Sequence, residues 1–141
     1  MTTETERAQD FLDDYRSVFE QFDADAVAER FAYPCLIVGD GDPVDLRAVG
    51  SHAEWVEQLK MLMDIYKGFG VRTAAVLDSN AMSVTPRVIQ VAIHWSLRDA
   101  DDREVYDFHA VYTLVEREGA LRIAAIAHDE LPQIMALLSP Q

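Results

Sequence analysis

A chain of 141 residues, 50% hydrophobic and 26% charged, is long enough for one sizeable core and has the composition of a globular protein. Its 25 acidic residues outweigh 12 basic ones, and a formal net charge of −13 sets it against phosphate backbones and anionic membrane surfaces, so neither nucleic acid nor a membrane is an expected partner. The single cysteine, Cys35, excludes an intrachain disulfide and a thiolate zinc cage; in the apolar run YPCLIV it reads as a small buried hydrophobe.

The opening MTTETERAQD has no basic start and no apolar signal core, and no apolar run reaches membrane-spanning length, so a cytoplasmic location is expected. Thr3 and Glu6 have capping-box spacing and open a first helix. Its apolar positions, Ala8, Phe11, Leu12, Tyr15, Val18, Phe19 and Phe22, recur by threes and fours. Asp23 is the N-cap residue of a short second helix, DADAVAERF. Pro34 ends helical possibility, CLIV is a short strand, and VDLRAV after the acidic turn is a second. Ser51 and Glu54 repeat the capping box and open a helix whose apolar face is Trp55, Val56, Leu59, Leu62, Met63 and Tyr66, stopped by Gly68 and Gly70. From Val71 onward, VRTAAVLDSNAMSVT, RVIQVAIHWSLRD, EVYDFHAVYTLVE and ALRIAAIAHDE read as four long strands, with DSN, DADD and REG as turns. DELPQIMALLSP is a short helical tail. With no linker or repeat, residues 1–141 are expected to form one α+β domain, helices segregated to one side of a bent antiparallel sheet.

Within the third long strand, YDFHAVY alternates strictly. Tyr106, Phe108, Ala110 and Tyr112 share one face; Asp107, His109 and Val111 share the other. Ordinary alternation puts the aromatics in the core and Asp107 and His109 outside. The turn at EREGA bears on the choice. A four-residue loop, Arg117 to Ala120, pairs Glu116 with Leu121, His109 with His128 and Asp107 with Glu130. A three-residue loop with Gly119 left-handed shifts the pairing by one and puts Tyr106, Phe108 and Tyr112 on the face of His128.

The element order, and in particular DYRSVFEQFDADAVAERFAYPCLIVGDG and VYTLVEREGALRIAAIAHDE, resembles the nuclear transport factor 2-like superfamily, the cystatin-like α+β cone. Its members include ketosteroid isomerase, scytalone dehydratase and SnoaL-type polyketide cyclases. The resemblance implies a cone-shaped, strongly bent sheet with three N-terminal helices over its concave face and a ligand site inside. It also implies a homodimer through the outer sheet face, where Tyr106, Phe108 and Tyr112 would meet a partner. Tyr15 falls at the place of the isomerase's oxyanion-binding tyrosine, but the aspartate base maps to Gly39 and the second donor to Val111, so steroid isomerisation by that mechanism is not expected. The resemblance turns Asp107, His109, Val111 and Thr113 inward, with Ala124, Ile126, His128 and Glu130 beside them and Ile89, Val91, Ile93 and Trp95 on the preceding strand. Asp107, His109, His128 and Tyr15 then become candidate acid/base residues, with Trp95, Ile93, Ile126, Glu130 and Tyr33 as ligand contacts. The implied chemistry is proton transfer on a hydrophobic, oxygenated ligand (isomerisation, dehydration or cyclisation), with no cofactor and no metal. The alternative is a non-catalytic ligand-binding or dimerisation domain of the same fold.

Overall fold

The computed structural model describes residues 3–138. The elements follow in the order α1 (Glu4–Glu20), α2 (Ala24–Glu29), β1 (Phe31–Gly39), β2 (Asp45–Val49), α3 (His52–Gly68), β3 (Thr73–Thr85), β4 (Val88–Arg98), β5 (Glu104–Arg117), β6 (Ala120–His128) and α4 (Glu130–Leu138). Each of the first three helices starts where a side chain takes an orphan backbone N–H. Thr3 accepts from Glu6 at 3.1 Å, Asp23 from Ala26 at 3.1 Å and Ser51 from Glu54 at 3.2 Å. The buried stripes are Ala8, Leu12, Tyr15 and Val18 on α1, and Trp55, Val56, Leu59, Met63 and Tyr66 on α3.

The strands form one sheet in the order β2-β1-β6-β5-β4-β3. All neighbours are antiparallel except β1 and β6, which run parallel. The sheet curls without closing, and the helices cover its concave side. Ile89, Val91, Ile93 and Trp95 of β4 are buried on that side, the inward row expected of them. DSN is not a turn. Asp78, Ser79 and Asn80 lie within β3 and pair with His94, Ile93 and Ala92; the bend between β3 and β4 falls at Pro86–Arg87. A register shift between Val76 and Asp78 lets the strand run through its polar residues unbroken.

The β5–β6 hairpin reverses the orientation of YDFHAVY that the family resemblance implies and gives the one that ordinary alternation does. Its loop is only Glu118 and Gly119, with φ of 53° and 82°, the left-handed pair that a two-residue hairpin requires. Glu116 pairs with Leu121 as in the four-residue reading, and Arg117 also pairs with Ala120. Then the register slips: Leu114 faces Ile123 but Thr113 faces Ala125, so Ala124 is an unpaired extra residue. Beyond that bulge Ala110, not His109, lies opposite His128. Tyr106, Phe108, Ala110 and Tyr112 are therefore buried in the core, and Asp107 and His109 stand on the convex face. The energetics favour this side. Each aromatic taken from water contributes about 1.5–3 kcal/mol, whereas an aspartate and a histidine buried in its place would carry a desolvation cost. The three aromatics expected at a partner subunit are thus core residues, and the sequence-based case for a dimer loses them.

Candidate functional site

A cavity of about 100 Å³ remains between α1, α3 and the concave sheet face. It is of the order of the ~150 Å³ apolar cavity known to hold benzene. Its walls are mainly apolar, among them Phe19, Leu59, Val71, Trp95, Phe108 and Ile126, and exposed Arg72 and Thr73 mark its mouth.

The polar groups concentrate at the buried end. Glu130 lines the cavity, although its residue is only 7% exposed. Its Oε2 accepts the hydroxyls of Tyr66 and, at 2.7 Å, Tyr106. Its Oε1 takes no hydrogen bond among the described residues. Loss of water disfavours the carboxylate and pushes its pKa from 4.5 up to about 7, although the two tyrosine hydroxyls pull it down. The same burial, reinforced by the Glu130 charge, raises Tyr66 and Tyr106 well above the ordinary phenol value, so both remain hydrogen donors. A carboxyl poised near neutrality on an apolar cavity is suited to general acid/base work.

His128 lies two residues before Glu130 and on the same wall. Its Nδ1 accepts the Glu130 backbone N–H at 3.1 Å, so the neutral ring carries its proton on Nε2. Burial lowers its pKa below 6.5, which keeps the ring neutral at physiological pH. Gly39 makes room for it. A Cβ built there would meet Leu131 Cδ1 at 2.9 Å and His128 Cε1 at 3.4 Å. Where the resemblance places the isomerase's base, this chain has no side chain, and the neighbouring imidazole occupies the space.

Three further donors border the cavity. Trp95 Nε1 donates to the Tyr112 hydroxyl at 2.9 Å, which leaves the Tyr112 proton available to another acceptor. Tyr15 packs edge-on against Tyr112 with ring centres 5.9 Å apart, and its hydroxyl has no hydrogen bond among the described residues. Burial holds both phenols protonated. Trp55 Nε1 is buried without a partner among the described residues. An unsatisfied buried N–H costs about 1–3 kcal/mol, and a ligand oxygen would relieve it.

Of the expected site residues, the fold brings Tyr15, Trp95, Ile126, His128 and Glu130 to one cavity. Ile93 is buried in the core beneath the sheet but is not part of the cavity wall. Tyr33 lies outside the cavity, its hydroxyl donating to the Ala28 carbonyl at 2.6 Å. Asp107 and His109 are on the opposite face because of the Ala124 bulge. There His94 stacks on His109 at 4.0 Å and bonds Asp107 at 2.5 Å, which holds the Asp107 carboxyl below its ordinary pKa. His109 also contacts Asp129 through Nδ1 at 3.3 Å. Among the described residues no group of three or more His, Cys, Asp or Glu could hold a metal ion. Sequence reasoning missed Trp55, Tyr66, Tyr106 and Tyr112 as site residues, because each sits at a position that ordinary core packing already explains.

Sheet, helices and enclosed polar end define an α+β cone with an internal cavity. The chain belongs to the family described as NTF2-like protein (DUF6841), whose profile matches residues 4–131. Solved structures share the fold at low identity. An NTF2-like protein of unknown function from Shewanella oneidensis is 13% identical with a TM-score of 0.70, covering 90% of this chain and 99% of that one. An NTF2-like protein with a cystatin-like fold from Novosphingobium aromaticivorans is 12% identical with a TM-score of 0.69, over 97% and 90% of the two chains. A candidate scytalone dehydratase from the same organism is 12% identical with a TM-score of 0.60, over 89% and 82%. No curated protein sequence matches the chain. No helix among the described residues is long and apolar enough to cross a membrane.

Proposed function

We propose that the cavity binds a small hydrophobic, oxygenated molecule and that Glu130 transfers a proton on it. The observation that carries this reading is a buried carboxyl with one oxygen uncommitted, on the wall of an apolar cavity and held by two tyrosine hydroxyls. For a bound ketone the chemistry balances without a cofactor. The Glu130 carboxylate takes a proton from the carbon beside the carbonyl. The C–H electron pair becomes a C=C bond, and the carbonyl π pair moves to oxygen. Tyr15 and Tyr112 can donate to the resulting enolate oxygen. The proton then returns from Glu130 to the same or a conjugated carbon, or the enolate expels a β-hydroxyl that takes that proton from Glu130 and leaves as water, with the His128 Nε2–H available as a hydrogen-bond donor to the departing oxygen. The first route is an isomerisation and the second a dehydration.

Phenylacetone in D₂O tests the first step. The expected result is faster loss of its benzylic proton signal with the protein than in matched buffer, rising with pH through about 7 as Glu130 ionises. Glu130→Gln should slow the exchange by about 10²–10⁴-fold, the usual worth of a general base. Equal rates for the two proteins would remove Glu130 as the base. Binding without exchange would favour the non-catalytic reading, which has its own support: the two tyrosines already give Glu130 Oε2 a satisfied structural network.

A further inference from the structure

We infer that the ligand is a ring-bearing carboxylate, its anionic group held at the cavity mouth by Arg16 and Arg72 and its neutral end directed toward Glu130. This rests on the cavity being the ligand site and adds the class of molecule. Both arginines line the cavity, Arg16 half-buried on α1 and Arg72 exposed before β3. In a chain of net charge −13, several other cations are committed to carboxylates: Arg7 to Glu116, Arg30 to Asp14, Arg47 to Asp45 and Arg98 to Asp102. Arg16 and Arg72 have no such partner among the described residues. Arg16 Nη1 makes one long contact, 3.4 Å to the Ala74 carbonyl. The Arg72 side chain makes no hydrogen bond there.

A third cation is nearby, since Lys67 Nζ stands 5.2 Å from the centre of the Phe22 ring, which is part of the cavity wall. One acid, Glu20, shares the mouth, and its Oε2 already accepts the Ala74 N–H at 2.8 Å. The mouth therefore carries a local positive excess on an acidic protein, with two guanidinium forks whose geometry suits a carboxylate. The buried end has the opposite preference, because Glu130 there disfavours a second anion. The two ends together fix the ligand's direction, and a volume of about 100 Å³ limits its apolar body to about one ring.

Both tryptophans of the chain, Trp55 and Trp95, border the cavity, so their fluorescence reports its occupancy. Phenylacetate and trans-cinnamate are titrated against their primary amides at low salt. The carboxylates are expected to bind about 10-fold tighter than the amides. Arg72→Gln should shrink that preference, and Arg16→Gln with Arg72→Gln should abolish it, with an unfolding curve that matches the wild type showing that the variants are folded. Equal affinity for acid and amide in the wild type, or a carboxylate preference that survives the double substitution, would overturn the inference but leave the cavity reading standing. Failure of every probe to quench either tryptophan would overturn both.

Discussion

Replacing Glu130 with glutamine should change how stability depends on pH, and the sign follows from the direction of its shift. The carboxyl titrates near 7 in the fold against 4.5 unperturbed. Below 4.5 it is protonated in both the folded and the unfolded chain, and its contribution is fully present. Between 4.5 and 7 the unfolded chain ionises first, so stability falls as pH rises and reaches a lower plateau above 7. At about 1.4 kcal/mol per pH unit, the difference amounts to about 3 kcal/mol. The amide of Glu130→Gln can still accept both tyrosine hydroxyls but does not titrate. Urea unfolding of the two proteins, followed by tryptophan fluorescence at a series of pH values, isolates this group because the other acids cancel in the difference. The wild type should lose about 3 kcal/mol relative to Glu130→Gln between about pH 4.5 and 8. A difference constant to within about 0.5 kcal/mol across that range would refute the reasoning, for it would mean the carboxyl ionises as easily inside as out.

Three other outcomes follow from the geometry. Tyr66→Phe removes a hydrogen bond that stabilises the Glu130 carboxylate, so a ¹³C carboxyl titration should place that group above the wild-type midpoint; a downward move would contradict the assignment. Gly39→Ala puts a methyl 2.9 Å from Leu131 Cδ1 and 3.4 Å from His128 Cε1. It should cost about 1–2 kcal/mol in urea unfolding and shift the His128 ring resonances, whereas an unperturbed His128 spectrum would show that the space is not limiting. Asp107→Asn and His109→Ala, on the convex face, should leave phenylacetate binding at the wild-type value, and a loss in either would reinstate the inward register.

What can be read from the sequence is local. Thr3, Asp23 and Ser51 announce their helices because a cap and the backbone N–H that donates to it lie three residues apart. The β4 row is legible because large apolar side chains at every second place leave one choice of face. The β5 orientation follows from ordinary alternation, but its pairing with β6, which decides whether His109 or Ala110 meets His128, is not legible, because it depends on a residue being skipped within RIAAIAH. Ala124 and Ala125 are adjacent and identical, so no difference in size or polarity marks the bulge. DSN misleads because its turn-forming residues say nothing of the neighbouring strand, whose hydrogen bonds keep β3 extended. Glu130 can be named from the sequence, but not the tyrosines that hold it: Tyr66 lies on α3 and Tyr106 on β5, and only the tertiary fold brings them together.

The central claim, that the cone interior receives a small oxygenated ligand, is tested most directly at the two indole N–H groups. In a ¹⁵N-labelled protein titrated with phenylacetone, the Trp55 indole proton is unpartnered among the described residues and should move downfield as it gains an acceptor. The Trp95 proton, already bonded to Tyr112, should move less. The account predicts saturable shifts at Trp55, Glu130 and His128, with His94 and His109 unchanged. It is contradicted if both indole signals stay fixed, or if the shifts map to the convex face instead.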